Sequence, residues 1–395
     1  MLILIFMVLV LTDNSVIANS HSNRSIGSGQ YSRTKRGSIP YVSVPFHGCR
    51  ITLDDEDFRK ALILEKVNGK YFFKKPKKGL FEWRYGEQIF FSCDRKTKSA
   101  ECVQSTDIWK SKIECEISAY LETKESVSEM FGTNYDIGFE IDQIKKDFLP
   151  LYSVRYDKQE CSTTYSVHAL NGAYFGPGDA KRLEKQAFSN FACKGHTGEI
   201  DNLYKKDNQN NFLPEMDKDK YPLHRGHLTP DQDMPVYLWK RSTYTFANIV
   251  PIFNTINSEG NWHKLECLTK ALVTARKMEC TIFTGGLNVP ELPKHFLTGT
   301  KISIPHWLWK VVKCGNAGFV AFVRNLPKEE DGLVNLCKTD QLKVIGFEGL
   351  YTSTADHGFI HFCKYTDVKS GLLPSAARFT TLLKYDLVNS EIPTC

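Results

Sequence analysis

Three short blocks in the middle of the chain contain the residue types needed to cut a phosphodiester bond. They lie at residues 221–231, 246–251 and 257–266, and they supply histidines, an arginine, several asparagines and a final glutamate. A histidine can take a proton from water near neutral pH. A hard divalent cation with oxygen ligands can neutralise the developing charge, and arginine can contact phosphate through two hydrogen bonds. The blocks therefore predict metal-assisted phosphodiester hydrolysis.

The overall composition is that of a folded protein. Of the 395 residues, 42% are hydrophobic, 24% charged and 12% aromatic, which excludes an intrinsically disordered chain. The formal net charge of +6 favours a polyanionic partner without requiring one.

The N-terminus predicts secretion. Residues 1–18 have the apolar run and the small residues of a signal peptide, and residues 19–36 form a polar arm that ends in a dibasic run. That run is either a processing site, with Gly37 as the new N-terminus, or a solvated basic segment. The sequon at Asn23 lies in the same arm. No later run reaches the roughly 18 apolar residues of a membrane span, so we expect no membrane association.

Cysteine usage agrees with an extracellular protein. The chain has twelve cysteines, an even number that allows up to six disulfides. Their irregular spacing argues against a structural zinc site. Four of them could close bridges within the N-terminal part of the chain, namely Cys49, Cys93, Cys102 and Cys115.

The chain divides by pattern into two parts. Residues 41–135 alternate short apolar and turn segments, which predicts a small β-rich module. A linker or a domain boundary is expected near 135–150, and residues 150–395 predict an α+β domain. Its expected elements are paired strands at 152–156 and 163–168, a helix at 262–277, and strands at 280–284, 307–312 and 318–324.

A basic run in the N-terminal part offers a second candidate site. Three aromatic residues precede it, and its cations are Lys74, Lys75, Lys77 and Lys78. Such a segment could follow a phosphate backbone while the aromatic rings stack on bases. The alternative is a solvated basic turn that covers the β-rich module.

Taken together in their order, the three blocks resemble the DNA/RNA non-specific endonuclease family, whose fold is the ββα-metal nuclease fold. The family carries D-R-G-H, then N-x-x-P-Q, then N-x-x-x-W-x-x-L-E. The corresponding residues here are 224–227, 248–252 and 257–266. The resemblance covers about residues 150–390 and implies an α+β domain with an antiparallel sheet flanked by helices. The cysteine-rich, secreted form looks closest to insect nucleases of gut or saliva.

The resemblance also implies a role for each matched residue. His227 would be the general base that activates water, and Asn257 would be the direct metal ligand. Glu266 would hold metal-bound water, Arg225 would contact phosphate, and Asn248 would support the phosphate or the metal site. The implied cofactor is Mg²⁺, with Mn²⁺ as the alternative. The implied substrates are DNA and RNA, double- or single-stranded, read through phosphate and sugar rather than bases.

Three positions depart from the family pattern. His224 replaces the first aspartate, Ile252 replaces the glutamine, and one extra residue separates Asn257 from Trp262. Asn254 or Asn261 could substitute as ligand, and Asp231 or Asp233 could replace the lost acid unless they lie in a surface turn. The departures motivate a second hypothesis, a secreted nucleic-acid-binding protein with weak or lost catalysis.

Overall fold

The computed structural model describes residues 46–104, 106–113, 115–116, 118–129, 132–177, 179–181, 188–189, 200–209, 219–289, 294–297, 300–327, 336–337, 347, 350 and 355–383. Internal contacts divide the chain into Met1–Phe46 and His47–Cys395, and the description below concerns the second unit. The expected signal peptide, the polar arm and Asn23 lie outside the described residues.

The N-terminal part is built from short antiparallel strands, which confirms the predicted β-rich module. Strand β1 pairs with β4, and a separate sheet has the order β3-β2-β5-β6. The bounds are Gly48–Thr52 for β1, Leu62–Val67 for β2, Lys70–Phe73 for β3, Leu80–Arg84 for β4, Gln88–Cys93 for β5 and Lys96–Glu101 for β6, followed by helix α1 at Thr106–Ser111. Asn68 and Gly69 connect β2 to β3 with φ of 50° and 80°. Positive φ at both turn residues matches the twist of the flanking strands.

Disulfides close inside both parts of the chain. Cys49–Cys102 and Cys93–Cys115 join elements of the β-rich module, as expected from their positions. Further bridges link Cys280 to Cys314 and Cys337 to Cys363. Cys161 and Cys267 are also disulfide-bonded, so no cysteine among the described residues is free.

A large sheet forms the centre of the molecule. Its order is β18-β17-β16-β13-β10-β9-β8-β7, all antiparallel, with β19 added in parallel to β17. The bounds are Tyr120–Glu129 for β7, Gly132–Asp142 for β8, Asp147–Asp157 for β9, Ser162–Asn171 for β10, Glu279–Leu287 for β13, Trp307–Cys314 for β16, Ala317–Arg324 for β17, Ile360–Cys363 for β18 and Thr381–Leu382 for β19. The predicted strands at 152–156, 163–168, 280–284, 307–312 and 318–324 are confirmed.

The segment expected to be a linker is part of this sheet. Strands β8 and β9 run through residues 135–150 and pair with each other as a hairpin. The linker prediction was wrong because the apolar residues of β8, such as Ile137 and Phe139, pack inward while its polar residues alternate with them. The division into a module at 41–135 and a domain at 150–395 stays a prediction.

Helices cover one face of the sheet. Alternate residues of β13 point to opposite faces of the sheet. Ile282 packs in the core on the helix-covered face, and Phe283 packs in the core on the other face. The helices are α2 at Ile200–Leu203, α3 at Tyr237–Ser242, α4 at Asn254–Asn257 and α5 at Asn261–Ala275. Trp262 is fully buried on α5, as expected for a core residue. No helix in the described ranges is long and apolar enough to cross a bilayer.

A second hairpin lies between the central strands β10 and β13 in sequence. Strands β11 at Leu223–His227 and β12 at Ile249–Phe253 pair antiparallel, and α4 and α5 follow directly. The succession of two strands and a helix is the local ββα unit that the motif blocks predict. A short pair, β14 at His295–Phe296 with β15 at Ser303–Ile304, completes the strands.

Helix α3 connects the hairpin region to the β-rich module. The Trp239 ring lies 5.3 Å from that of Phe73 on β3, centroid to centroid. The Arg59 guanidinium lies 5.2 Å from the ring centroid of Tyr237. Trp239 belongs to the core of the module, so the module packs directly on α3.

Candidate active site

A cavity of about 750 Å³ opens beside the hairpin and is here called the hairpin cavity. It collects side chains from β11, α3, α4 and α5, which are far apart in sequence. Its lining consists of Ala180, Phe188, Tyr204, His224, Arg225, His227, Pro230, Asp231, Gln232, Lys240, Tyr244, Asn257, Ser258, His263, Glu266 and Lys270. Sequence reasoning had singled out His227, Arg225, Asn257 and Glu266, and the fold brings all four to this cavity.

His227 ends strand β11 and is surrounded by aromatic rings. The ring centroid of Tyr244 lies 4.8 Å from the imidazole in an edge arrangement, and that of Phe188 lies 5.5 Å away. The Tyr244 hydroxyl donates a hydrogen bond to Asp231 Oδ2 at 2.9 Å. These contacts restrict the orientation of the imidazole at the cavity wall.

Gly226 has no room for a side chain, and Ile252 is the reason. In the hairpin register Gly226 lies opposite Val250 and His224 opposite Ile252. A Cβ on Gly226 would lie 2.0 Å from Ile252 Cδ1, and Ile252 is fully buried. The isoleucine at the family's glutamine position therefore fills the core under the hairpin and does not line the cavity.

Arg225 is partly exposed and already has contacts. Its guanidinium forms an ion pair with Asp201 of α2 and lies 4.6 Å from the ring centroid of Phe188. A phosphate that binds Arg225 would compete with the Asp201 carboxylate for the same N–H donors.

Replacing Asp201 by asparagine is expected to strengthen nucleic-acid binding. An exposed ion pair contributes only about 0.2–1 kcal/mol, so releasing Arg225 should lower Kd by at most about five-fold. The measurement is fluorescence anisotropy of a labelled oligonucleotide in EDTA. Asp207→Asn removes an equal charge from the neighbouring turn and serves as the control. Equal effects of both variants would contradict a specific role of Asp201.

Asn257 and Glu266 reach the same cavity because the helix is interrupted between them. They are nine residues apart, which on one continuous helix would place them on different faces. Instead Asn257 ends α4, residues 258–260 turn the chain, and α5 begins at Asn261. The extra residue of the third block is accommodated in this break.

The two alternative asparagines have other contacts. Asn261 is buried and its Nδ2 donates to the carbonyls of Leu350 and Gly358, at 3.2 and 2.7 Å. Asn254 Oδ1 accepts a hydrogen bond from the Ser258 hydroxyl at 2.8 Å. Neither lines the hairpin cavity, so the geometry favours Asn257 as the oxygen donor there.

Asn248 is fully buried behind the cavity wall. Its Oδ1 accepts from the Thr229 N–H at 2.9 Å, and its Nδ2 donates to the carbonyls of Thr229 and Thr243 at 2.9 and 3.0 Å. The amide thus joins the segment after His227 to the end of α3. Asn248 positions the wall and is absent from the lining of the cavity.

His224, which stands where the family has an aspartate, lies at the exposed side of the cavity. Partial burial, with a smaller contribution from the Arg225 charge, holds the pKa of His224 below its usual value. His224 is therefore neutral near pH 7, and it brings no negative charge to the position where the family has aspartate.

The two aspartates that follow the first block have different places. Asp231 lines the cavity and is held by Tyr244. Asp233 is buried, and its Oδ2 lies 2.9 Å from Nε2 of the buried His168. Burial lowers the pKa of His168, so the imidazole is neutral near pH 7 and its Nε2–H donates a hydrogen bond to the Asp233 carboxylate. The surface-turn interpretation of Asp233 was wrong.

Sequence reasoning missed several residues of the cavity. Lys240, Tyr244 and Lys270 lie outside the three blocks, and His263 lies in the third block without a family counterpart. The packing of α3 and α5 places these side chains on the cavity wall. Residues 263, 266 and 270 are three and four apart, so they share one face of a helix. This spacing could have indicated Lys270 from the sequence.

The basic run at 74–78 is not part of the hairpin cavity. Lys74 is about half-buried, with Nζ 4.9 Å from the ring centroid of Trp83, and burial lowers its pKa. The Lys78 N–H donates to the Ala173 carbonyl at 3.0 Å. The nucleic-acid role of Lys74, Lys75, Lys77 and Lys78 stays a prediction.

The hairpin β11–β12, helix α5 and a cavity with histidine, asparagine and glutamate between them define the ββα class of metal-dependent nucleases. The family model for DNA/RNA non-specific endonucleases matches residues 132–368. The chain belongs to this family.

Two relatives, both named salivary endonucleases, agree with that assignment. A salivary endonuclease of Culex quinquefasciatus is 30% identical over 342 residues, covering 83% of this chain and 90% of the relative. A salivary endonuclease of Lutzomyia longipalpis is 26% identical over 246 residues, covering 58% of each chain. A crystal structure of the EndoG/EndoGI complex aligns with a TM-score of 0.34 and 14% identity, over 47% of this chain and 75% of that one.

The family implies a divalent metal, and the oxygen donors of the cavity fit one. Among the described residues there is no group of three or more histidine, cysteine, aspartate or glutamate side chains that could hold a metal. The cavity instead offers the Asn257 amide oxygen and the Glu266 carboxylate. Mg²⁺ and similar hard cations bind one or two protein oxygens and keep several waters. The donor set therefore fits a largely hydrated hard cation.

Proposed function

We propose that this protein is a secreted, Mg²⁺-dependent endonuclease that hydrolyses DNA and RNA phosphodiesters without sequence preference. The observation that carries the proposal is the convergence of His227, Arg225, Asn257 and Glu266 on one cavity. Family membership supplies the nuclease class, and the four side chains supply its chemistry in this chain.

Each residue is proposed to do one step. His227 accepts the proton of the attacking water, with its ring orientation limited by Tyr244 and Phe188. Arg225 binds a non-bridging oxygen of the phosphate after leaving Asp201.

Asn257 would hold the cation through its amide oxygen, and Glu266 would accept hydrogen bonds from the waters around it. Bound Mg²⁺ would stabilise charge on the phosphate and on the leaving oxygen. Mn²⁺ is the expected substitute, because it accepts the same oxygen ligands.

Secretion is proposed from the N-terminal sequence together with the disulfides. Residues 1–18 have the composition of a signal peptide. Four bridges lie within the described residues, which is typical of oxidising compartments. The relatives are named as salivary proteins, which supports an extracellular place of action.

The second candidate is a nucleic-acid-binding protein that has lost turnover. The neutral His224 at the family's aspartate position favours it, because the cavity loses one negative charge near the cation. In that case the protein would bind nucleic acid tightly and with strong salt dependence, yet cleave negligibly in Mg²⁺ or Mn²⁺.

Metal removal tests the proposal. Purified protein is expected to degrade plasmid DNA and double-stranded RNA in Mg²⁺, to lose this activity in EDTA, and to regain it when Mg²⁺ is restored. Thermal unfolding in EDTA controls for loss of structure. Full cleavage in EDTA would refute metal dependence, and binding without cleavage in either metal would select the second candidate.

A further inference from the structure

Two lysines on the hairpin cavity have no role in the chemistry described above. Lys240 comes from α3 and Lys270 from α5, and both line the cavity with His227 and Glu266. Neither belongs to the sequence blocks that identify the family.

Lys240 is a buried cation. Only 5% of the Lys240 surface is exposed, and Nζ donates one hydrogen bond to the Asp231 carbonyl at 3.1 Å. An ammonium has three N–H donors, so two remain for another acceptor. The pKa of Lys240 is lowered to about 8, mainly by burial; the charge of Lys270 also lowers it, and Asp231, Asp179 and Asp233 raise it.

Lys270 is placed beside it by α5. It follows Glu266 by one helical turn, about 6 Å along the axis, on the same helix face. Its Nζ lies 4.3 Å from the ring centroid of Phe175, a buried residue that does not line the cavity. Among the described residues, neither lysine forms an ion pair.

Lys240 and Lys270 line one concave wall, the charge of Lys270 acts on Lys240, and neither forms an ion pair with a carboxylate among the described residues. Two such cations form a site for an anion. We propose that Lys240 and Lys270 bind the substrate phosphate next to the one that is cleaved. The cavity would then recognise a chain of phosphates, not a single phosphodiester. This inference rests on the proposed function, because it takes nucleic acid as the ligand.

Binding without cleavage tests the site directly. The affinity of a fluorescein-labelled oligonucleotide is measured in EDTA over a range of KCl concentrations, for wild type, Lys240→Met, Lys270→Met and the double variant. Each lost phosphate contact should lower the slope of log K against log[salt] by about 0.7 to 0.9, and raise Kd several-fold at low salt. Lys264→Met, on the exposed side of α5, is the matched control. An unchanged slope and Kd in the double variant would overturn the proposal.

Turnover separates the neighbouring phosphate from the cleaved one. On thymidine 5′-(p-nitrophenyl phosphate), which has a single phosphodiester, the double variant should keep its kcat/KM within about two-fold. On plasmid DNA its kcat/KM should fall at least about ten-fold, mainly through KM. Equal losses on both substrates would place the lysines at the cleaved phosphate and refute the inference.

The two proposals can fail separately. If the wild type cleaves nothing in any divalent metal, the proposed function fails. The binding measurement in EDTA still tests whether Lys240 and Lys270 bind phosphate. Lys270→Met changes a partly exposed residue and keeps the test valid if Lys240→Met does not fold. Cleavage in Mg²⁺ by a wild type that binds no oligonucleotide in EDTA would refute the lysine site and leave the proposed function standing.

Discussion

Replacing His227 by alanine lowers kcat/KM on plasmid DNA by about 10²- to 10⁴-fold, the usual contribution of a general base. The imidazole is at the end of β11, on the wall of the hairpin cavity and against Tyr244. Of the cavity residues assigned to chemistry, it is the one with an imidazole, the side chain that most often transfers protons in catalysis. In the proposed mechanism its loss would leave the attacking water without a proton acceptor, while Arg225 and the proposed metal donors remain.

The measurement is initial-rate cleavage in Mg²⁺, together with oligonucleotide binding in EDTA. Affinity should change by no more than about two-fold, because the proposed role of His227 is in the chemical step and not in substrate binding. His295→Ala, a histidine outside the cavity, should cleave at the wild-type rate. If His227→Ala retains full activity, another residue is the base and the proposed mechanism fails.

Replacing Asn248 by alanine destabilises the whole unit. The N–H and the carbonyl of Thr229 both lose their Asn248 partner. The Thr243 carbonyl loses one of two hydrogen bonds and keeps the one from the Thr245 N–H at 3.0 Å. Leaving a buried polar group unsatisfied costs about 1–3 kcal/mol, and entering water would recover part of this. We therefore expect the free energy of unfolding to fall by about 2–4 kcal/mol, a large fraction of a typical domain's stability.

Denaturant unfolding monitored by circular dichroism measures this change. Asn208→Ala is the control, since its amide makes one exposed hydrogen bond to the Asn202 carbonyl and its loss should cost less than about 1 kcal/mol. The folded fraction of Asn248→Ala should keep the wild-type pH profile of cleavage, because the residue positions the wall and does not transfer protons. A stability loss below about 1 kcal/mol would contradict this role.

The blocks that carry chemistry could be located from the sequence, since their residues are adjacent or follow one element. Short apolar, β-branched and aromatic runs predicted five strands of the central sheet, and the apolar stripe predicted α5, which runs from Asn261 to Ala275. The predicted helix begins at Trp262, so the sequence already allows a loop between Asn257 and that helix. The short helix α4, which ends at Asn257, could not be predicted from a local pattern.

Other features depend on contacts between distant residues. Lys240 and Tyr244 have no motif, and only the packing of α3 brings them to the cavity. The linker expected at 135–150 is a hairpin because its partners, β7 and β10, lie on either side in the finished sheet. The sequence around Asp233 is compatible with a surface turn, and no local pattern indicates its hydrogen bond with His168 of β10.

The attachment of α3 to the N-terminal strands has a consequence for how this enzyme scaffold can be altered. Trp239 packs on Phe73, while its neighbour Lys240 belongs to the opposite, catalytic side. Phe73 lies before residue 132, where the match to the family begins. The N-terminal strands therefore hold α3 from behind, although none of their residues lines the hairpin cavity. Removing these strands would take away the packing partner of Trp239 and loosen the helix that presents Lys240 to the cavity.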